Sequence, residues 1–348
     1  MSTSQEVMKA LRKQHGEDIG EKGLELPERQ RIPSGIAALD VATGGGLPMN
    51  RMTMVYGPES SCKTNIALCY IREAQKRWPD KVCVFIDIEG TLERTWVEQL
   101  GVDAEVLIVI KPDYAEQAIE AVEKFLVADD VAIVVVDSIA AMATMQELSK
   151  EAESESPGTQ ARAMGKMVRR ATAALNQAQK QGFGGTLLWI NQIRQKIGVM
   201  YGSPDTLPGG QGQKYMAAMR IKLYGKNVVD KKIHREMPCW KQITFTIEKW
   251  KCPITQSRGE FAMAMMPIKD LRVGQANDWP AMKRAMETLD LMEKTKAGVV
   301  AFGEKFRTQS DLWEWLRGNP TKMDELVGAT VVALKEGSDL NSGTPGEE

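Results

Sequence analysis

The chain has 348 residues, and its 45 lysines and arginines nearly balance its 46 aspartates and glutamates, so the formal net charge is −1. A polyanionic partner must therefore be bound by a local basic surface. The five cysteines form no C-x-x-C pair, which argues against a zinc site or a disulfide framework and indicates a reducing, cytoplasmic location. No apolar run approaches the roughly 18 residues that span a bilayer, so we expect no membrane partner.

The first residues predict a short helix on a tether. Val7, Met8 and Leu11 recur at helical spacing, and the stretch that follows is polar and punctuated by glycine and proline. A helix of this size cannot bury a core of its own, so it must dock on the main domain or on another subunit. We assign residues 1–31 to an N-terminal helix and linker, and docking on another subunit would make the protein an oligomer.

Five short apolar runs rich in valine and isoleucine follow, and they predict strands that are buried on both faces. These runs are Met52–Tyr56, Val82–Asp87, Val106–Ile110, Ala132–Asp137 and Thr186–Asn191. Helical patterns alternate with them, which predicts an α/β fold over residues 32–267 with a mainly parallel central sheet flanked by helices. Asp87, Asp137 and Asn191 end three of the runs, at the edge where open α/β sheets bind ligands.

The segment GPESSCKT, residues 57–64, follows the first strand and opens a helical stretch, as a phosphate-binding loop does. In the pattern G-x-x-x-x-G-K-[ST], backbone N–H groups curl around phosphate oxygens, the lysine reaches the outer phosphates and the last hydroxyl binds Mg²⁺. Lys63 and Thr64 satisfy this pattern, whereas Cys62 stands where the pattern has glycine. Glycine commonly supplies a backbone geometry that costs a residue with a Cβ about 1 kcal/mol.

Two carboxylates complete the predicted nucleotide site. Asp137 ends a buried strand, from which it would reach Mg²⁺ beside the phosphate-binding loop; the alternative is a strand that merely ends in aspartate. Glu89 lies just past the strand that ends at Asp87, where it would orient the water that attacks a phosphoanhydride. On its own, an acidic residue after a strand more often lies in a surface loop, but this position favours catalysis.

The stretch from Arg162 to Ala178 predicts an amphipathic helix whose apolar side is opposed by a basic side of Arg162, Lys166, Arg169 and Arg170. The alternative is an ordinary helix with a solvated cationic face. An acidic, serine-rich loop precedes it at 148–158, and a glycine-rich stretch at 193–212 is expected to hold no packed element. Long loops in compact domains are usually functional, and this mixture of glycines, cations and apolar side chains suits single-stranded nucleic acid.

Beyond residue 268 the patterns predict a small C-terminal α/β domain that ends at residue 336. One of its helices has an apolar face formed by Met282, Ala285, Met286, Leu289 and Met292. Residues 337–348 have too little apolar content to fold and are predicted to be a disordered tail.

Taken together, these residues resemble the bacterial and phage RecA-type homologous recombinases over roughly residues 32–262. The resemblance runs through GGGLP at 44–48, YGPESS at 56–61, FID at 85–87, VVDS at 135–138 and residues 191–200. It implies a RecA-like P-loop ATPase core that polymerises as a helical filament on single-stranded DNA. It further implies pairing with homologous duplex DNA, strand exchange, and DNA-stimulated hydrolysis of ATP with Mg²⁺, with ATP held at the subunit interface.

The resemblance also implies a role for each matching position. The family's ATP-contacting positions correspond to Glu59, Ser60, Ser61, Cys62, Lys63, Thr64, Asn65, Glu93, Trp96 and Asp137, and Thr64 and Asp137 would bind the metal. Its catalytic positions are Glu89, Lys63, Gln192, Lys249 and Lys251; Gln192 would sense the terminal phosphate, and Lys249 and Lys251 would reach the neighbouring subunit's ATP. Its DNA contacts fall on Arg162, Gly165, Arg169, Arg194, Lys196, Ile197, Gly209, Gly210 and Gln211.

Two alternatives to a recombinase stay open at this point. One is a RecA-fold regulator or motor that binds nucleotide without exchanging strands, and the other is a DNA-coating protein in which Cys62 has disabled hydrolysis. Cys62 and Pro157 both depart from the family pattern, as is typical of a phage or otherwise remote member. Retention of Lys63, Thr64, Glu89 and Asp137 argues against a disabled site.

Overall fold

The computed structural model describes residues 3–16, 30–138, 143–148, 159–180, 184–195, 205–208, 212–269 and 271–336. The helices in these ranges are α1 (Ser4–His15), α2 (Ala37–Ala42), α3 (Lys63–Arg77), α4 (Arg94–Gln99), α5 (Ala115–Val127), α6 (Met145–Leu148), α7 (Thr159–Lys180), α8 (Gly212–Met216), α9 (Trp279–Thr288), α10 (Gln309–Gly318) and α11 (Pro320–Lys335). The first eight strands are β1 (Arg31–Ile32), β2 (Leu47–Pro48), β3 (Met52–Gly57), β4 (Val82–Asp87), β5 (Leu107–Ile110), β6 (Val131–Asp137), β7 (Thr186–Gln192) and β8 (Arg194–Gln195). The others are β9 (Asp205–Thr206), β10 (Met219–Val228), β11 (Trp240–Trp250), β12 (Arg258–Ala264), β13 (Ala276–Asn277), β14 (Met292–Thr295), β15 (Gly298–Ala301) and β16 (Glu304–Phe306).

A nine-stranded sheet forms the centre of the described chain, in the order β13-β12-β11-β10-β3-β7-β6-β4-β5. The five strands that the sequence predicts, β3 to β7, lie side by side and are parallel, and β10 is parallel to β3. Strands β11 to β13 are antiparallel and extend one edge. The expected mainly parallel sheet is confirmed, and the antiparallel extension is a feature that the apolar runs did not indicate.

Apolar side chains cover both faces of this sheet. Along β6, Ile133 and Val135 belong to one buried cluster, and Val134 and Val136 belong to the other, because successive strand residues point to opposite faces. Helix α3 packs on the first face, and α5 and α7 pack on the second. Every residue of β6 is buried, which explains why its sequence is almost continuously apolar.

Helix α7 has the two-sided character that its sequence predicts. Its apolar side is buried against the sheet, and Arg162, Lys166 and Arg169 are exposed. The expectation for Arg170 is corrected, because its guanidinium forms an ion pair with Glu123 of α5. The cationic side of α7 is therefore narrower than the sequence pattern suggests, since α5 packs beside it.

The glycine-rich stretch after β7 corrects a second expectation. Its two ends pair as a short antiparallel sheet, β8 with β9, so a regular element does occur where none was expected. Backbone hydrogen bonds between residues ten or more positions apart leave no trace in a local pattern. Residues 149–158, 196–204 and 209–211 lie outside the described residues.

Helix α1 begins with a capping box, in which the Thr3 hydroxyl accepts from the Glu6 amide and the Glu6 carboxylate accepts from the Thr3 amide at 2.8 Å. None of its residues is buried, and Val7, Met8 and Leu11 are exposed. The apolar side of the helix is therefore left uncovered by the described part of its own chain.

The region after β13 packs around a separate apolar cluster that it shares with α2. Helices α9, α10 and α11 and the antiparallel sheet β14-β15-β16 surround this cluster, to which Ala37 and Val41 of α2 also belong. The helical face expected to include Met292 is corrected: α9 ends at Thr288 and Met292 begins β14. Asp290 has a positive φ of 53°, a left-handed conformation that stops a helix and that aspartate tolerates.

Candidate functional site

Parallel strands bring the predicted nucleotide residues to one edge of the sheet. The loop 57–64 joins β3 to α3, and the carboxyl ends of β4, β6 and β7 lie beside it. A cleft of about 320 Å³ opens at this edge, and eleven of the predicted site residues line it: Glu59, Ser60, Ser61, Cys62, Lys63, Thr64, Asn65, Glu89, Trp96, Asp137 and Gln192. Lys241 and Met265 complete the lining.

Cys62 occupies a glycine-like backbone conformation. Its φ of 64° and ψ of 27° are left-handed, and it caps the amino end of α3, so the loop keeps the geometry that its pattern requires despite the Cβ. At the start of the loop, a Cβ on Gly57 would lie 2.3 Å from the Leu223 carbonyl oxygen, which excludes any larger residue. Burial raises the pKa of the Cys62 thiol to about 11, so this thiol is neutral at physiological pH.

Lys63 and Thr64 begin α3, at the positions that the phosphate-binding pattern predicts. The Lys63 ammonium donates to the Pro58 carbonyl at 2.6 Å, and burial lowers its pKa. The Thr64 hydroxyl donates to Asp137 Oδ2 at 2.5 Å, and burial raises the pKa of Asp137 to about 6. A hydroxyl and a carboxylate in contact are a donor set that fits Mg²⁺, which prefers oxygen ligands.

Glu89 is held in place by hydrogen bonds from the end of β7 and from the residue that follows β6. Its Oε1 accepts from the Ser138 hydroxyl at 2.5 Å and from Gln192 Nε2 at 2.9 Å. The turn that carries Glu89 is fixed by Asp87. Its carboxylate accepts hydrogen bonds from the backbone amides of Gly90 at 2.9 Å and Leu92 at 3.0 Å. Asp87 therefore shapes the loop, and of these two carboxylates Glu89 is the one that lines the cleft.

The adenine end of the predicted site is only partly assembled. Trp96 lines the cleft and its indole N–H donates to Asn65 Oδ1 at 3.1 Å. Glu93 is exposed at the start of α4 and is not among the residues that line the cleft. Asn191 is buried and does not line the cleft either; its amide donates to Gln213 Oε1 at 3.0 Å.

A family model for the RecA N-terminal domain matches residues 4–263 of the chain. The chain belongs to the RecA family. Protein RecA of Aquifex aeolicus (strain VF5) is 43% identical over 203 residues, which are 58% of this chain and 57% of that protein. Protein RecA of Cutibacterium acnes is 41% identical over 220 residues, 62% of this chain and 61% of that protein.

A third RecA-family relative matches along nearly the whole chain. Protein RecA of Thermus thermophilus is 33% identical over 336 residues, which are 95% of this chain and 96% of that protein. Against the Aquifex protein, by contrast, the match spans a little over half the length. The RecA resemblance and the α/β core expected from the sequence are confirmed. Within the described ranges, no helix combines the length and the apolar character that crossing a membrane requires.

Lys249 and Lys251 do not enter the cleft of their own RecA-family chain. The Lys249 ammonium donates to the carbonyls of Lys214 and Tyr215, both at 2.6 Å, and Lys251 donates to the Tyr215 carbonyl at 3.1 Å. Burial lowers the pKa of Lys249. Both lysines lie at the end of β11, and a role at the neighbouring subunit's ATP stays a prediction.

The predicted DNA residues are described only in part. Arg162 and Arg169 are exposed on α7, with the half-buried Gly165 between them, and Arg194 is exposed in β8. The other five, Lys196, Ile197, Gly209, Gly210 and Gln211, lie outside the described residues.

Sequence reasoning missed three residues of this site. Ser138 holds Glu89, and Lys241 and Met265 line the cleft from β11 and from the residue after β12. The sequence did contain one signal for Lys241. Alternate residues of β11 are buried, and Lys241 is a charged residue at the position in this series that precedes Ile243. Ser138 ends the VVDS motif at 135–138, which was the signal available for it, whereas Met265 follows β12 without any such pattern.

Proposed function

We propose that this chain is an ATP-dependent DNA recombinase. It polymerises on single-stranded DNA and catalyses homologous pairing and strand exchange, and as a DNA-dependent ATPase it couples these steps to hydrolysis of a phosphoanhydride. The observation that supports this most directly is that Glu89 joins Gln192 in the cleft formed by the phosphate-binding loop. A hydrolytic carboxylate is thereby connected to the strand that leads into the glycine-rich stretch.

ATP would lie along the loop 59–65, with its phosphates facing the backbone amides at the start of α3 and Lys63 neutralising the outer phosphates. Thr64 and Asp137 would hold Mg²⁺, which supplies charge neutralisation at the phosphoryl group when bound. Trp96 would stack on adenine, with Glu93 at its edge. The 2.5 Å contact between Thr64 and Asp137 supports this arrangement, since it puts both oxygen ligands in one place.

Glu89 would orient the attacking water, because its carboxylate lines the cleft and is fixed by two hydrogen-bond donors. Gln192 would contact the terminal phosphate when ATP is bound and would then release Glu89. Gln192 ends β7, and the amide of the next residue, Ile193, donates to the Gly57 carbonyl at 3.0 Å. A shift of Gln192 would therefore be transmitted into the stretch 193–212.

Single-stranded DNA would be bound by Arg162, Gly165, Arg169, Arg194, Lys196, Ile197, Gly209, Gly210 and Gln211. Support comes from α7, where Arg162 and Arg169 are exposed beside a glycine that brings no side chain. Arginines meet phosphates with a planar fork of donors, which suits a nucleic-acid backbone. The homologous duplex DNA would be paired along the same filament.

Filament formation would complete the active site between subunits. Lys249 and Lys251 donate to backbone carbonyls at the end of α8, which leaves both ammonium groups near the surface for a neighbour's ATP. Helix α1 supplies an apolar side formed by Val7, Met8 and Leu11 that a second subunit would cover. The unpaired cysteines fit a reducing compartment, and we place this activity in the cytoplasm.

Two assays run side by side test the proposal. ATP hydrolysis should rise on adding single-stranded DNA, and Lys63→Ala should abolish it; homologous strand exchange should require ATP. A RecA-fold regulator would hydrolyse or bind ATP without exchanging strands, and an inert DNA coat would show no stimulated hydrolysis. Hydrolysis that survives in Lys63→Ala would remove the phosphate-binding loop from the proposal.

A further inference from the structure

Lys241 lies where an apolar side chain is expected. Along β11, alternate residues Ile243, Phe245 and Ile247 are buried in the core that packs on α3. Lys241 continues this series on the same face, and only 7% of its surface is exposed. Lysine is rarely so buried unless its ammonium is paired.

The Lys241 ammonium is only partly satisfied by protein groups. Its Nζ donates to Asn227 Oδ1 at 2.8 Å, and no ion pair between described residues involves Lys241; Glu248 of the same strand pairs with Arg220 and Lys222. An ammonium has three N–H donors, so one amide oxygen leaves donors for a further acceptor. The residue lines the nucleotide cleft, which gives that acceptor a place.

A glycine on the neighbouring strand lets Lys241 lie against the phosphate-binding loop. A Cβ on Gly225 of β10 would come within 2.9 Å of Lys241 Cε and 3.2 Å of Ser61 Cα. Lysine stem, glycine and loop are thus in close contact. The side chain approaches the loop from the antiparallel extension of the sheet, whereas Asp137 approaches from the parallel half.

The charged residues that line the cleft include more carboxylates than lysines, so a second lysine matters for binding a polyphosphate. Glu59, Glu89 and Asp137 are acidic, and Lys63 and Lys241 are the basic residues among the described lining. Without Lys241, three carboxylates would face a polyphosphate with one lysine from this chain. We infer that Lys241 is a phosphate-binding cation of the nucleotide site, contributed by the same chain that supplies the loop. The inference rests on the proposed nucleotide-binding function and adds a residue to it.

This role predicts a specific division between binding and turnover. Lys241 is hydrogen-bonded to Asn227, and between described residues it forms no hydrogen bond with Glu89 or Gln192. We therefore expect it to interact with the phosphates equally before and during hydrolysis. Removing such uniform binding weakens affinity and leaves the rate at saturation unchanged. A charge-assisted hydrogen bond of this kind corresponds to about a tenfold change in the dissociation constant.

The test compares Lys241→Gln with Lys226→Gln. Glutamine keeps a hydrogen-bond donor for Asn227 and removes the charge, and Lys226 is an exposed lysine of the same β10–β11 hairpin. Titration with Mg²⁺-ADP and Mg²⁺-ATP should give dissociation constants about tenfold weaker for Lys241→Gln, with kcat within about twofold of the unaltered chain. Lys226→Gln should match the unaltered chain in both, and Lys241→Arg should recover most of the affinity.

Unchanged nucleotide affinity in Lys241→Gln overturns the inference and leaves the proposed function standing. Failure of the unaltered chain to bind either nucleotide instead overturns the proposed function. If Lys241→Gln does not fold, the unaltered chain decides the question through lysine acetylation followed by mass spectrometry. Saturating Mg²⁺-ADP should slow the modification of Lys241 at least fivefold and leave Lys226 unaffected, and equal modification with and without ADP also overturns the inference.

Discussion

Gln192 Nε2 donates a 2.9 Å hydrogen bond to Glu89 Oε1, and both residues line the nucleotide cleft. The two residues are 103 positions apart in the chain, and each follows or ends a parallel strand of the same sheet. The bond ties the proposed water-orienting carboxylate to the proposed phosphate sensor. It therefore gives one structural reason why hydrolysis would respond to DNA bound by the following stretch.

Replacing Glu89 by glutamine should lower kcat for ATP hydrolysis by about 100-fold or more, because general-base contributions are of this size. The affinity for Mg²⁺-ADP should stay within about threefold, since glutamine keeps the shape and the hydrogen bond from Ser138. Steady-state hydrolysis and ADP titration check both expectations. Glu314→Gln is the matched control, because Glu314 is exposed on α10 and does not line the cleft; a normal rate in Glu89→Gln contradicts the assignment.

Replacing Cys62 by glycine or by alanine should separate backbone strain from the loss of the thiol. Both changes remove the same sulfur, but only glycine adopts a φ of 64° without strain. Cys62→Gly should therefore be more stable than Cys62→Ala by about 1 kcal/mol in the free energy of unfolding. Urea denaturation of the two variants measures the difference, and equal stabilities would show that the left-handed conformation is not strained.

Arg169→Ala should weaken binding to single-stranded DNA about tenfold. It should also make the slope of the logarithm of the binding constant against the logarithm of salt concentration shallower by about one, because one fewer phosphate is neutralised. Mg²⁺-ADP affinity should be unaffected, because this exposed arginine does not line the cleft. Arg170→Ala is the matched control: its guanidinium is paired with Glu123, so DNA affinity should change by no more than about twofold. Fluorescence anisotropy at several salt concentrations provides the measurement. Equal losses in the two variants would argue against a DNA site on this side of α7.

Asp278 should make stability depend on pH in the acid range. Its buried carboxylate accepts from the amides of Ala37 at 2.8 Å and Ala38 at 3.4 Å, and burial raises its pKa from 3.8 to about 6. At pH values between these two pKa values, the Asp278 carboxyl is protonated in the folded chain and ionised in the unfolded chain. Its contribution to the free energy of unfolding therefore increases as pH falls from about 7 to 4.

Comparison with Asp278→Asn isolates this effect, since asparagine is uncharged and keeps an acceptor for the same amides. The unaltered chain should gain about 2 kcal/mol of unfolding free energy relative to the variant over that pH range. Denaturant unfolding at pH 7, 5.5 and 4 measures the difference. A difference that stays constant with pH would mean that Asp278 is already ionised without cost in the folded chain.

The chain's local patterns were sufficient for its central elements. β3, β4, β6 and β7 are short apolar runs because strands buried on both faces must be apolar. The expectation of two buried faces was wrong for β5, an edge strand in which Ile108 and Val109 are exposed. The loop before Lys63 was recognisable because phosphate binding needs small residues and a helix start at fixed spacing. The apolar side of α7 was likewise predicted by apolar residues that recur with a period of 3.6 residues. Each of these properties lies within about twenty neighbouring residues, which is the range that a sequence pattern covers.

Tertiary structure alone decided which of these elements meet. The order β3-β7-β6-β4 places Thr64 in contact with Asp137, 73 positions later, and Glu89 in contact with Gln192, and no local periodicity encodes strand order. The same holds for the pair Arg170 and Glu123 and for Lys241, which became part of the nucleotide cleft only because β11 joins the sheet beside β10. The sequence by itself determined the elements and the phosphate-binding loop, and long-range packing decided which distant side chains complete the site.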